Sequence, residues 1–207
     1  MVFPFAHELR WLLWGFLLLA GALQTLAGGY WAVPFWIGLA LVLLVSRTRS
    51  RAVTADPLDL YAPLDGVVVA VESGVPDLLH ERDGPACRIR LRQHPWGEYV
   101  LLSPTEGRCL DMWWPGKDGT GSRSFGFVVR TDEGDACVIN VLEAGTPRFK
   151  THRVSAGSRI RQGGRFGLVG PGVVVDVYLD DNVTPAVSPG VRVTAGMTVL
   201  AELRGHR

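Results

Sequence analysis

The first fifth of the chain constrains it most, because two apolar runs follow one another there with almost no polar residue between them. Trp11 to Leu26 reads WLLWGFLLLAGALQTL and Tyr30 to Val45 reads YWAVPFWIGLALVLLV, with Gly28 and Gly29 in the tight connection. Each run is about 16 residues, a little under the ~20 that span hydrocarbon comfortably, so short spans or snorkelling flanks are needed. A cleaved leader peptide would account for the first run alone. The second run, arriving without a spacer, favours an α-helical transmembrane hairpin over residues 1–46. Trp11, Trp14, Tyr30, Trp31 and Trp36 include several near the predicted ends, where amphipathic rings favour the headgroup level. Arg10 precedes the first run and Arg47, Arg49 and Arg51 follow the second, so the positive-inside bias puts both ends in the cytoplasm. A soluble domain on the cytoplasmic side of the inner membrane is the expectation.

Residues 47–59 read as a basic linker, polar and without periodicity. Its three arginines are candidate contacts for anionic headgroups, the alternative being a solvated flank. From residue 60 onward no amphipathic helix of useful length is present, and short strands alternate with glycine turns. That pattern predicts a mainly β domain, a barrel or sandwich hybrid, over residues 60–207. Tyr61 to Glu72 reads as a turn and an apolar strand, with Asp65-Gly66 as a turn dipeptide. Cys87 to Arg92, CRIRLR, alternates strictly and sets Arg88, Arg90 and Arg92 on one face, within reach of lipid phosphates or simply solvated. Glu98 to Pro104 is a further strand, and Phe125 to Thr131 and Ala136 to Leu142 form a hairpin through DEGD. Gly190 to Leu203 reads as a closing hairpin. Trp113 and Trp114, before a Pro-Gly turn, are candidates either for the membrane interface or for packing inside the domain.

A net charge of +1 without a basic block gives no attraction to nucleic acid. The three cysteines, Cys87, Cys109 and Cys137, are odd in number and widely spaced, which predicts buried free thiols rather than disulfides or a zinc site. No metal is expected.

The stretch Gly167 to Leu179, GLVGPGVVVDVYL, resembles the end of phosphatidylserine decarboxylases of the short, membrane-anchored kind, which carry GLIRFGSRVDVYLP. Five further elements resemble that family in the same order: the apolar hairpin, the APLDG turn, the LLSP strand, the RIRQGGRFGL run and the closing GVRVTAGMTVLAEL. The APLDGVV pattern also opens lipoyl-type domains and cell-wall zinc peptidases. The family resemblance implies self-cleavage between a Gly and a Ser, the Ser becoming a pyruvoyl group that serves as electron sink. Aligning VDVYL puts Gly172 on that Gly and Val173 on that Ser. Asp65 falls on an Asp with a role in processing, and Arg108, four residues after Pro104, falls on the family's His. An isopropyl group supplies neither the acyl shift nor the elimination that pyruvoyl formation needs, and an arginine does not accept a proton near neutral pH. No pyruvoyl or other cofactor is therefore expected, and the resemblance implies a non-catalytic family member in phospholipid (phosphatidylethanolamine) metabolism. Its expected partners are membrane phospholipids, an active lipid-synthesis enzyme or a second copy of the chain. Two other readings stay open: an active decarboxylase processed at Gly121-Ser122 or Gly157-Ser158, and a lipoyl-like β module unrelated to lipids. His94 and His152 read as exposed loop histidines.

Overall fold

The computed structural model describes residues 10–26, 29–46, 56, 58–76, 85–113, 124–142, 154–170, 172–181 and 183–203. The chain divides into two compact units, Met1–Ser50 and Arg51–Arg207.

In the first unit the apolar runs form two helices, α1 (Arg10–Leu26) and α2 (Gly29–Ser46), which pack on one another. Trp36 Nε1 donates to Gln24 Oε1 at 3.0 Å, joining the two helices. Ala20 and Ala32 are buried, as expected where small residues let two helices approach closely. Trp11, Trp14, Leu18, Tyr30 and Trp31 are exposed. The transmembrane expectation needs correction, because no helix among the described residues is long and apolar enough to cross a membrane. At 1.5 Å per residue, helices of 17 and 18 residues rise about 26 and 27 Å, short of a hydrocarbon core ~30 Å thick.

Among the described residues the second unit is all β, as its turn-rich strand pattern predicts. Its strands are β1 (Asp59–Tyr61), β2 (Gly66–Val75), β3 (Ala86–Gln93), β4 (Val100–Leu102), β5 (Gly107–Trp113), β6 (Ser124–Arg130) and β7 (Ala136–Leu142). They continue as β8 (Arg159–Ile160), β9 (Arg165–Leu168), β10 (Val174–Asp180), β11 (Thr184–Pro185), β12 (Arg192–Val193) and β13 (Val199–Glu202). Eight of them make one curled sheet in the order β12-β2-β3-β10-β7-β6-β5-β8. Two small sheets, β1-β13-β11 and β4-β9, complete the half-barrel, and main-chain bonds tie these two together. Tyr61 N–H donates to Pro104 O, Leu102 N–H to Pro63 O and Ser103 N–H to Gly164 O. Inside, Phe127 of β6 stacks on Phe166 of β9 with ring centroids 3.7 Å apart, so the large sheet and the β4-β9 sheet share one core.

The strands at the middle of the large sheet are apolar on both faces, which is why β6, β7 and β10 read as runs rather than alternations. Their inner side chains, Phe127, Ile139, Val175 and Val177 among them, enter the main core. On the outer face Val128, Val138 and Tyr178 form a second cluster, against which Leu110 and Trp113 pack. A sheet covered on both sides loses its period-two signal. The DEGD hairpin forms as expected, with Arg130 opposite Ala136 and Thr131 N–H donating to Asp135 O. The expected closing hairpin does not form. β12 pairs with β2 in the large sheet while β13 pairs with β1 and β11. The turn at Thr194–Thr198 is inserted around Ala62, whose N–H donates to Thr198 O and whose O accepts Gly196 N–H, and this parts the two strands.

All three cysteines are buried thiols outside any disulfide. Burial, with the nearby Asp111 adding, pushes the Cys109 thiol up from 9.0 to about 11. A folded-state value above the unfolded one means stability that is whole below about pH 9 and lost as the pH rises through 11. The urea midpoint should therefore be level from pH 7 to 9 and then fall, Cys109 accounting for about 2 kcal/mol, and Cys109→Ala should flatten the fall.

Candidate functional site

Four chain segments converge at one end of the large sheet. β3 and β10 are antiparallel, with Arg92 opposite Val174, so the residue that precedes β10 lies beside the one that ends β3. Gln93 N–H indeed donates to Val173 O at 2.9 Å. On the other side of β3, Gly66 lies opposite Gln93 and Val193 opposite Gly66. The row Val193, Gly66, Gln93, Val173 thus crosses four segments and faces inward, because residues directly opposite share a face of the sheet. Val173 is 3% exposed and belongs to the main core. The preceding Gly172 has φ +74°, a left-handed turn conformation that suits glycine.

One step beyond the strand ends, Asp65 joins two turns. Its Oδ2 accepts Glu98 N–H at 3.1 Å and its Oδ1 accepts Ala195 N–H at 2.9 Å. Its main-chain O accepts His94 N–H at 2.9 Å. A Cβ at Gly97 would stand 2.7 Å from the Asp65 Cβ, so the 94–97 turn lies directly on this side chain. His94 Nδ1 accepts Trp96 N–H at 3.2 Å, which leaves the proton of a neutral ring on Nε2. Gln93 is buried, its Nε2 donating to Glu98 O at 3.3 Å while Oε1 has no partner. The end of the sheet that holds Val173 therefore also holds a buried amide, a half-buried imidazole and a carboxylate.

No family model matches the chain. A protein of Nitrosomonas eutropha named phosphatidylserine decarboxylase proenzyme is 32% identical over 200 residues, covering 92% of this chain and 91% of that protein. The chain belongs to the phosphatidylserine decarboxylase family. Proteins of the same name from Ralstonia pickettii and Burkholderia multivorans are each 31% identical, over 199 and 204 residues. These alignments cover 91% and 92% of this chain, and 91% and 94% of the respective relatives.

Of the positions assigned through the family, the structure brings Asp65, Gly172 and Val173 to one end of the sheet and leaves Arg108 at the other. Arg108 lies opposite Arg130, which lies opposite Ala136. Val174 lies opposite Leu142, six residues along β7 or roughly 20 Å at the rise of a strand. Arg108 is exposed there. The histidine at the junction end of the sheet is His94, one residue after Gln93, which the sequence presents as a loop histidine. Antiparallel pairing of CRIRLR with VVDVYL is the signal that would have found it, because it sets Arg90 opposite Asp176 and carries Gln93 to Val173.

Trp113 packs its ring over Gly126, where an added Cβ would meet Cζ2 at 2.3 Å, so this indole is a packing element of the outer face. Ser158 follows Gly157, but its Oγ donates to Ser155 O at 2.6 Å and its O accepts Cys109 N–H, next to Arg108 and away from Val173. Of the arginines of β3, Arg90 makes a two-bond pair with Asp176 and Arg88 pairs with Glu72. Arg47, Arg49, Arg51, Trp114, Ser122 and His152 lie outside the described residues.

Proposed function

We propose that this chain is a non-processing member of its family, held at the cytoplasmic face of a membrane by its helix pair, which binds serine lipid or an active partner enzyme without decarboxylating. The observation that carries this reading is Val173. Pyruvoyl formation begins when a side-chain nucleophile at this position attacks the preceding carbonyl, and valine offers only two methyl groups. Its place in the buried row, with its own O bonded to Gln93 N–H, makes it a core residue immediately before β10. The residues at the junction therefore do not fit the family's prosthetic group. The relatives are named proenzymes, which marks them as proteins that mature by processing. The departure at residue 173 separates this chain from that behaviour.

Membrane attachment is supported by the exposed aromatic and aliphatic side chains of α1 and α2, which have no place in water as a group. Helices too short to span comfortably still bury such surfaces in the interface and upper hydrocarbon.

The test is the intact mass of the purified chain under denaturing conditions, before and after incubation with phosphatidylserine vesicles. A single species near 22.6 kDa and no ethanolamine lipid are expected. Two fragments, one blocked at its N-terminus by a pyruvoyl group, would overturn the reading.

A further inference from the structure

Among the described residues of the β unit, the large apolar side chains left exposed are Leu58, Val69, Trp96, Val191 and Met197. Trp96, Val191 and Met197 belong to segments at the junction end of the sheet, so they form a feature rather than a scatter. Trp96 is 76% exposed on the 94–97 turn and Met197 is 58% exposed on the 194–198 turn. The same Asp65 carboxylate holds both turns, through Glu98 N–H and Ala195 N–H. Val191 lies three residues before the 194–198 turn, held to β2 through its O, which accepts Val68 N–H.

Immediately behind the turns lies a row of outward-facing residues: Arg192 opposite Val67, Val67 opposite Arg92, and Arg92 opposite Val174. Arg92 and Arg192 are both exposed. They stand two residues from His94 and Thr194, about 7 Å along the strands. Two guanidinium groups set one step behind a projecting indole and thioether match the layering of an anionic bilayer, with phosphates above and the interfacial zone below. Three side chains present roughly 400 Å², about half of the ~800 Å² that a stable protein partner covers on each side. Size and charge together favour a lipid surface over a protein.

We infer that the 94–97 and 194–198 turns, with Arg92 and Arg192, form a docking surface for an anionic lipid bilayer. It keeps the Val173 end of the sheet against the headgroups. This rests on the reading of the chain as a lipid-binding family member and adds the face through which the β unit meets the membrane. Asp65 acts here as a positioning residue, since it fixes both turns by their main chains.

The native thiols are buried, so nitroxide labels can be directed to Trp96→Cys, Met197→Cys and, as a control at the far turn, Glu133→Cys in the full chain. Relative accessibility to oxygen and to an aqueous nickel chelate reads immersion in phosphatidylcholine vesicles with and without about a quarter phosphatidylglycerol. Labels at 96 and 197 should be immersed and the label at 133 aqueous, the difference growing with phosphatidylglycerol. R92Q/R192Q should lower the immersed fraction at 96 about tenfold in the anionic vesicles. Flotation of the whole chain is scored separately and reads attachment by the helix pair. A chain that floats while 96 and 197 stay as aqueous as 133 overturns the docking surface and leaves helix attachment standing. Immersion indifferent to both arginines and anionic lipid overturns it as well. The intact-mass experiment is independent of either result.

Discussion

Asp65→Ala is expected to destabilise the β unit by about 2–4 kcal/mol, with Asp65→Asn costing about half as much. The carboxylate accepts one N–H from each of two turns that are distant in sequence, Glu98 and Ala195. A hydrogen bond to a charged group contributes about 1.5–3 kcal/mol, and partial exposure of Asp65 puts each bond at the low end of that range. Alanine strands both donors. Asparagine keeps one acceptor oxygen and turns an amine toward the other donor, so one bond survives. Urea midpoints for the two variants, at unchanged m-value, decide the matter. A shift within about 0.5 kcal/mol for both variants would show that Asp65 carries no structural task, and would return it to the processing role that the family resemblance assigns.

The fold was legible wherever one physical signal acted alone. CRIRLR alternates because β3 is covered on its inner face, with Cys87, Ile89 and Leu91 in the core. The hairpin of β6 and β7 was visible because DEGD is a turn between two apolar runs. The closing segment misled because its two strands, read locally, are joined by a short turn and should pair. What sends them to different sheets is Ala62, a residue more than 130 positions earlier, inserted at the turn by two main-chain bonds. No local pattern encodes such an insertion. Helix length was legible too, yet the apolar runs gave the sense of a span, while 17 and 18 residues fall just short of one.

The candidate site was legible only in part, and for a related reason. Val173 stood out because a single motif, VDVYL, fixes its place in the chain. Arg108 was assigned by counting from Pro104, which says nothing about position along the sheet, and the register puts it six residues away along β7. His94 was passed over because its neighbours in sequence carry no chemistry. Its main-chain bond to Asp65, and the pairing of the preceding Gln93 with Val173, join segments that are far apart or unmarked in the sequence. The APLDG turn alone could not separate this family from lipoyl-type domains, and the alignment over nine-tenths of the chain does.

Breaking the Arg90–Asp176 pair should produce the largest loss of any single substitution at the surface of this sheet, and the two halves of the pair should not be equivalent. Arg90 Nε donates to Asp176 Oδ1 at 2.7 Å and Nη2 to Oδ2 at 2.8 Å. The side chain of Asp176 is 2% exposed whereas that of Arg90 is 32% exposed. Arg90→Ala leaves a carboxylate that cannot reach water, at a cost of about 3–5 kcal/mol. Asp176→Ala leaves a guanidinium that can turn outward, so its cost is nearer 2 kcal/mol, and the double variant should cost less than the sum of the two. Equilibrium denaturation of the three variants reads this order, and a reversed order would mean that burial of Asp176 does not govern the pair. The consequence reaches the site through register. Asp176 is three residues after Val173, near the start of β10, so the pair holds β10 in step with β3 and Val173 beside Gln93. Amide exchange at Gln93, whose N–H donates to Val173 O, should speed up in Arg90→Ala well beyond exchange at Cys137 in β7. Equal acceleration at both amides would mean that the pair supports the sheet as a whole and does not specifically hold the junction in register.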